Sequence, residues 1–144
     1  QVELRVAAIV ANDWVMLKAY ENGEDLHRKT AAFVAGIKEE EVTKEERQKA
    51  KAVNFGFLFG MGAERFVDYA RDSYGVDLTL EDSKRARDRF FDTYRGISIW
   101  HRQTRREVEK TYKSSTPMVG AKVFLMPSFA ALALETALKG TALR

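Results

Sequence analysis

The sequence lacks cysteine and has few prolines and histidines. Its 144 residues include no Cys, two Pro and two His. Without cysteine the chain can form neither disulfides nor thiolate zinc sites, and it has no thiol nucleophile. The longest apolar stretches, Ala52–Ala63 and Val123–Leu138, are shorter than the roughly 20 residues that a membrane-spanning helix needs. No basic leader opens the chain, so we expect neither a membrane partner nor an export signal.

Length and composition predict one folded domain with a hydrophobic core. Hydrophobic residues make up 45% of the sequence and charged residues 31%. This is too apolar for a disordered chain, and the length fits a single domain at roughly 100–200 residues per domain. The formal net charge of +3 says little about partners by itself.

Charge becomes informative when it is counted by segment. Residues 21–46 carry eight acids and four bases, whereas residues 84–113 carry ten bases and four acids. A basic segment of this kind can follow a phosphate backbone, with an affinity that depends on salt. The alternative is an ordinary solvated helix face.

Hydrophobic periodicity and capping residues predict a mainly helical chain. Alternation of Val2, Leu4 and Val6 predicts a strand that ends near residue 11. Gly120 and its β-forming neighbours predict a hairpin near residues 116–126. The predicted helices, with Gly96 as the break before the sixth, are residues 13–20, 26–35, 44–59, 62–73, 80–94, 97–113 and 129–138.

One predicted helix combines cations and aromatics on a single stripe. Arg47, Lys51, Phe55 and Phe59 are spaced by four, which places them along one side of a helix. Two cations followed by two aromatics fit a ligand with a polyanionic end and a flat apolar end, such as a nucleoside triphosphate. The alternative is a buried aromatic stripe with a solvated basic end.

Two glycines lie in or next to the same helix. Gly56 and Gly60 each cost about 1 kcal/mol in a helix interior relative to alanine. We therefore expect either a close approach to the backbone or a bend at these positions.

Short motifs along the chain resemble the fingers region of family-A DNA polymerases. Q-V-E-L-R at residues 1–5 resembles the end of that family's motif A, and E-D-L-H at residues 24–27 with Thr30-Ala31 resembles its G-x-D-I-H-x-x-T-A segment. The helix just described matches motif B, R-x-x-x-K-x-x-x-F-G-x-x-Y-G. Weaker similarity continues through V-G-A-K-V-F-L-M-P at residues 119–127 and K-G-T-A at residues 139–142.

The resemblance implies roles for the stripe residues in binding deoxynucleoside triphosphate (dNTP). Arg47 and Lys51 would hold the phosphates, and Lys51 would also stabilise or protonate the pyrophosphate leaving group. Phe55 would pack against sugar and base. Phe59 replaces the family's motif B tyrosine and therefore lacks its hydroxyl.

The resemblance also implies roles outside the stripe. Glu3 would be the steric gate against a ribose 2′-hydroxyl, and His27 would contact the β-phosphate. DNA contacts would involve Gly60, Lys122 and Lys139. His101 has no such context and receives no function.

The catalytic aspartates of the family have no counterpart in this sequence. The motif A aspartate would lie before Gln1, and motif C would lie beyond Arg144. Two-metal catalysis needs such carboxylates. We therefore expect the isolated chain to be inactive, with the Mg²⁺ ligands of the complete polymerase supplied by missing segments or a second chain.

These observations predict a partial polymerase domain of the mainly α class. We expect the end of a palm strand at residues 1–11, helical fingers at 12–113, a hairpin at 114–127 and an apolar helix returning to the palm at 128–144. The expected function is binding of dNTP and template-primer DNA during template-directed DNA synthesis. We expect a cytoplasmic location, in a bacterium or, for a viral protein, inside the host cell. The alternative is a non-catalytic helical nucleic-acid-binding domain derived from a polymerase scaffold.

Overall fold

The computed structural model describes residues 2–111 and the backbone of residues 113–115 and 122–124, with side chains described through residue 110. Helices dominate this described part, which confirms the mainly α class. The elements in chain order are α1 (Val2–Val10), α2 (Trp14–Glu21), α3 (Leu26–Ala35), a 3₁₀ turn (Glu39–Glu41), α4 (Lys44–Leu58), α5 (Ala63–Tyr74), α6 (Leu80–Thr93), α7 (Arg95–Thr111), β1 (Lys113–Ser115) and β2 (Lys122–Phe124).

Local capping residues set the starts of three helices where the sequence predicts them. The Asp25 carboxylate accepts the backbone N–H groups of His27 at 3.0 Å and Arg28 at 3.3 Å, at the start of α3. Thr43 and Thr79 each form a reciprocal capping box with the acid three residues later, at the starts of α4 and α6. Each side chain satisfies N–H groups that have no partner within the helix.

The predicted N-terminal strand is wrong, because residues 2–10 form a helix. The buried side chains of α1 are Leu4, Ala7 and Ala8, which have the i, i+3, i+4 spacing of a helix face. The apparent strand pattern extends over only three apolar residues, and Val2 at its start is 58% exposed. The alanines that follow favour a helix.

Gly96 does not separate two helices as predicted, since it lies in the first turn of α7. The break falls at Tyr94, the C-terminal cap of α6. A Cβ added to Gly96 would lie 2.6 Å from the Cα of Asp13. This glycine is therefore needed for the close approach of α7 to the turn between α1 and α2.

Helix α4 lies at the centre of the fold and contacts α1, α3, α5 and α6. The fully buried ring of Phe57 packs against Phe66 of α5 and Phe90 of α6, with ring centroids 4.3 Å and 5.9 Å away. A Cβ added to Gly56 would lie 2.6 Å from Phe66 Cδ2. The close approach predicted at Gly56 is therefore made by a core side chain of α5, which keeps α4 fixed against α5.

Strands β1 and β2 pair in antiparallel register, with Lys113 opposite Phe124 and Ser115 opposite Lys122. The residues between them, and the apolar helix predicted over residues 128–144, lie outside the described residues. In the part of the chain that the structure describes, no helix has both the length and the apolar character to span a membrane.

Candidate functional site

Lys51 and Phe55 of the stripe form the open edge of the second half of α4, which is otherwise buried. From Ala50 to Leu58 every residue of α4 is buried except Lys51 and Phe55, which are half-buried. Phe59 caps the C-terminal end of α4, and its ring stacks with that of Phe55 at a centroid distance of 6.4 Å and an interplanar angle of 24°. A ligand that lies along this edge of α4 can therefore contact the cation Lys51 and the aromatic rings of Phe55 and Phe59 in succession.

Arg47 is anchored to the start of α3. Its Nε donates a hydrogen bond of 2.7 Å to Oδ2 of Asp25, whose other oxygen caps α3. Burial acts to raise the pKa of Asp25, but the hydrogen bonds from Arg47 and the Arg28 backbone outweigh it and lower that pKa. Asp25 is thus an ionised partner that orients Arg47 and leaves the other guanidinium nitrogens for a further acceptor.

His27 lies beside the stripe and is only 3% exposed. Its ring centroid is 6.1 Å from that of Phe55, and its Nδ1 is 2.8 Å from the Asn54 side-chain nitrogen. Burial lowers the pKa of His27, Asp25 acts in the opposite direction, and the charges of Arg47 and Lys51 lower it further. The imidazole is therefore neutral near pH 7.

A buried polar network behind His27 is absent from the sequence-based predictions. The Thr30 hydroxyl is 2.9 Å from Asn54 Oδ1, 2.7 Å from the Tyr94 hydroxyl and 2.8 Å from the Leu26 carbonyl. One signal was available, because Asn54 is the only polar side chain between residues 52 and 63. Its partners are 24 and 27 residues away in sequence, so only the fold identifies them.

The structure brings five of the predicted site residues together. His27, Arg47, Lys51, Phe55 and Phe59 lie around one edge of α4 and the start of α3.

The remaining predicted residues lie outside α3 and α4. Glu3 is half-buried in the first turn of α1, in a helix and not in the predicted strand. Gly60 follows α4 in a left-handed conformation with φ of 75°. Lys122 belongs to β2, its side chain lies outside the described residues, and so does Lys139.

A second concave region lies at the other end of α4. It is a cavity of about 470 Å³ whose lining includes Gly60, Arg87, His101, Arg102 and Arg105. His101 is at its wall, where Nε2 lies 2.9 Å from the Leu58 carbonyl and donates to it. Burial lowers the pKa of His101 to about 4, although the bond to Leu58 opposes this shift. His101 therefore joins α7 to the end of α4 as a neutral donor.

Among the residues that the structure describes, no group of three or more His, Cys, Asp or Glu side chains could hold a metal ion. The Mg²⁺ expected from the resemblance is therefore assigned to no residue described here. The chemistry of the edge of α4 is that of cations, a neutral imidazole and stacked aromatics.

Comparison with known proteins assigns the chain to a family. Residues 1–133 match the family model for DNA polymerase family A. The chain belongs to that family.

Two curated relatives are bacterial DNA polymerase I proteins. The chain is 46% identical to DNA polymerase I of Aquifex aeolicus over 110 residues, which cover 76% of this chain and 19% of that protein. It is 30% identical to DNA polymerase I of Bacillus subtilis over 151 aligned residues, covering 99% of this chain and 16% of the relative. The chain thus spans about a fifth or less of the length of these relatives.

A solved polymerase domain shares the fold. The POL domain of Pol1 from M. smegmatis, in complex with DNA primer-template and dNTP, aligns with a TM-score of 0.83 and 24% identity. The alignment covers 99% of this chain and 26% of that one.

Proposed function

We propose that the stripe on α4 binds an incoming dNTP in the fingers region of a DNA-directed DNA polymerase. The observation that carries the proposal is the exposure pattern of α4, in which Lys51 and Phe55 are the only residues between Ala50 and Leu58 that are not buried. A purely structural aromatic stripe would be covered by the core. The M. smegmatis polymerase domain, which is in complex with DNA primer-template and dNTP, supports the same assignment.

Each side chain of the site then has a distinct task. Arg47 and Lys51 supply positive charge to the triphosphate, and Lys51 stabilises the pyrophosphate leaving group as negative charge develops on it. Phe55 and Phe59 offer stacked faces to sugar and base. His27 offers a hydrogen bond to a phosphate oxygen without adding a charge.

Selection of the sugar depends on Glu3 and Phe59 in this proposal. Glu3 blocks a ribose 2′-hydroxyl, and Phe59 has no hydroxyl with which to pair to it. We therefore expect Glu3→Ala to relax discrimination against ribonucleotides.

Template-primer DNA is the second proposed ligand. The arginines that line the cavity at the far end of α4, together with Gly60, Lys122 and Lys139, would contact the DNA backbone. Nucleotide transfer itself would require the complete polymerase, in which segments outside this chain supply the carboxylates that hold Mg²⁺.

A matched pair of lysine variants tests the dNTP site. Lys51→Ala removes a charge from the stripe, whereas Lys49→Ala removes one from an exposed position two residues earlier on α4. A hydrogen bond to a charged group contributes about 1.5–3 kcal/mol, so Lys51→Ala should weaken dATP binding roughly 10-fold to 100-fold. Calorimetric titration of both variants with dATP measures the difference.

The proposal requires that Lys49→Ala bind dATP as the parent chain does. Equal dATP affinity in Lys51→Ala and the parent chain, with DNA binding retained, would contradict the dNTP site. That outcome would favour a nucleic-acid-binding domain without a nucleotide site.

A further inference from the structure

Four buried polar side chains connect three parts of the fold behind the proposed site. His27 and Thr30 belong to α3, Asn54 belongs to α4, and Tyr94 links α6 to α7. None is more than 3% exposed. Burying polar groups is costly unless each finds a hydrogen-bond partner, so the network must be satisfied internally.

The hydrogen bonds of the network run in one direction, towards His27. The single hydroxyl hydrogen of Thr30 is used on the Leu26 carbonyl and Asn54 Oδ1, so the protonated Tyr94 hydroxyl is the donor to Thr30 Oγ1 at 2.7 Å. Thr30 has one hydroxyl hydrogen, which is shared between Asn54 Oδ1 at 2.9 Å and the Leu26 carbonyl at 2.8 Å, and Asn54 Nδ2 donates to His27 Nδ1 at 2.8 Å. Hydrogen bonds aligned in this way polarise and strengthen one another.

This direction determines which nitrogen of His27 carries the proton. An amide nitrogen only donates, so Nδ1 must be the accepting nitrogen of the imidazole. A neutral imidazole that accepts at Nδ1 carries its hydrogen on Nε2. The ring is thereby left with a single donor, in a fixed orientation.

We propose that Asn54 is a positioning residue that holds His27 as a neutral Nε2–H donor, with Thr30 and Tyr94 fixing the side-chain amide of Asn54. The role of that donor rests on the proposed dNTP site, where Nε2–H would be directed at a phosphate oxygen. Among the described residues of the proposed dNTP site, Arg47 and Lys51 then supply the positive charge, and His27 supplies a neutral donor of fixed orientation.

Nitrogen-15 NMR of histidine-labelled chain tests the tautomer without any nucleotide. The chain has two histidines, and the His27→Gln variant identifies the His27 signals by their loss. We expect a pyridine-type shift for Nδ1 of His27 and a pyrrole-type shift for Nε2. A pyrrole-type Nδ1 in the parent chain would overturn the proposal.

Two substitutions of Thr30 separate positioning from packing. Thr30→Val keeps the shape but removes the hydroxyl that orients Asn54, so the His27 shifts should move towards a mixture of both tautomers. Thr30→Ser keeps the hydroxyl and should retain the parent shifts. Unchanged His27 shifts in a folded Thr30→Val chain would contradict the network.

Asn54→Asp gives an independent test. Its carboxylate can only accept from Nδ1–H, so Nδ1 should become protonated and the pKa of His27 should rise. Retention of a pyridine-type Nδ1 in a folded Asn54→Asp chain would contradict the assignment to Asn54.

The dATP titration distinguishes failure of this inference from failure of the proposed function. We expect Thr30→Val to weaken dATP binding several-fold, with Lys49→Ala as the unaffected control. Parent-like dATP affinity in Thr30→Val, despite altered His27 shifts, would overturn the link between the tautomer and the phosphate. If the parent chain binds no dATP but shows the expected shifts, the proposed function fails while the tautomer assignment holds.

Discussion

Asp13 shows how one side chain can organise two distant helices. Its Oδ1 accepts from the Met16 backbone N–H at 3.1 Å and caps α2, while its Oδ2 accepts from the Ile97 backbone N–H at 3.3 Å in α7. The residue is buried, so both oxygens are satisfied by protein groups. Asp13 thereby links α2 to α7, the helix whose residues His101, Arg102 and Arg105 line the cavity at the far end of α4.

Gly56 gives a prediction at the same scale. Gly56→Ala places a methyl group against the buried Phe66 ring, which Phe57 holds in place. Although alanine gains about 1 kcal/mol of helix propensity, overpacking costs about 1–3 kcal/mol and more than offsets it at this contact distance. Urea unfolding should show a net loss of stability.

Phe66→Leu serves as the control, because it makes room for the added methyl group. The double variant should be more stable than the sum of the two single losses predicts. Simple additivity would mean that Gly56 and Phe66 are not coupled.

At the scale of elements, α4 is fixed at both ends by residues of other helices. Asp25 at the start of α3 holds Arg47 near its N-terminal end, and His101 of α7 donates to the Leu58 carbonyl at its C-terminal end. The bond to Leu58 satisfies a carbonyl that has no partner within the helix. The orientation of the stripe therefore depends on three helices.

His101 makes stability dependent on pH. Its pKa lies near 4 in the folded chain, against an ordinary value of 6.5, so the unfolded chain binds the proton more readily. The contribution of neutral His101 is fully present above pH 6.5 and is lost as pH falls towards 4. The difference in pKa corresponds to roughly 3 kcal/mol.

His101→Gln tests this account, since its amide can still donate to Leu58 but does not titrate. The difference in free energy of unfolding between parent and variant should change by up to roughly 3 kcal/mol between pH 7 and pH 4, in favour of the variant at low pH. Urea unfolding at several pH values measures it. A difference that stays constant with pH would contradict the buried neutral state of His101.

At the scale of the whole molecule, charge divides the described part of the chain. The stripe begins near the acidic segment of residues 21–46, whereas the cavity at the far end of α4 is lined by Arg87, Arg102 and Arg105. A dNTP site and a backbone-contacting surface would thus lie at successive positions along one helix.

The DNA proposal predicts a salt dependence. The double variant Arg102→Gln/Arg105→Gln should bind primer-template DNA more weakly, and the slope of log affinity against log salt should become shallower by roughly 1–2. Arg71→Gln is the control, because the Arg71 guanidinium is already paired with Asp68 at 2.6 Å. Fluorescence anisotropy over a range of salt concentrations measures both slopes, and equal slopes would argue against DNA at this cavity.

Local signals predicted much of this fold, whereas contacts across the chain did not follow from them. Asp25, Thr43 and Thr79 cap their helices through neighbouring residues, so the helix starts were visible in the sequence. The strand at residues 1–11 failed because three alternating residues do not outweigh the helical spacing of Leu4, Ala7 and Ala8.

Part of the candidate site could likewise be predicted from the sequence, and part of it could not. The stripe follows from a spacing of four, but the Asn54 network joins residues up to 64 positions apart and requires tertiary packing. Gly56 was expected to mark either a close approach or a bend, and only the fold shows that Phe66 makes a close approach there.

Photocrosslinking with an azido-adenine analogue of dATP tests the central claim, that the edge of α4 holds the nucleotide, most directly. Trypsin cleaves after Lys51 and next after Arg65, so one peptide, residues 52–65, carries both aromatics of the stripe. We predict that this peptide is labelled and that unmodified dATP suppresses the label. Label that dATP suppresses only in peptides of α6 or α7, with residues 52–65 unmodified, would contradict the account.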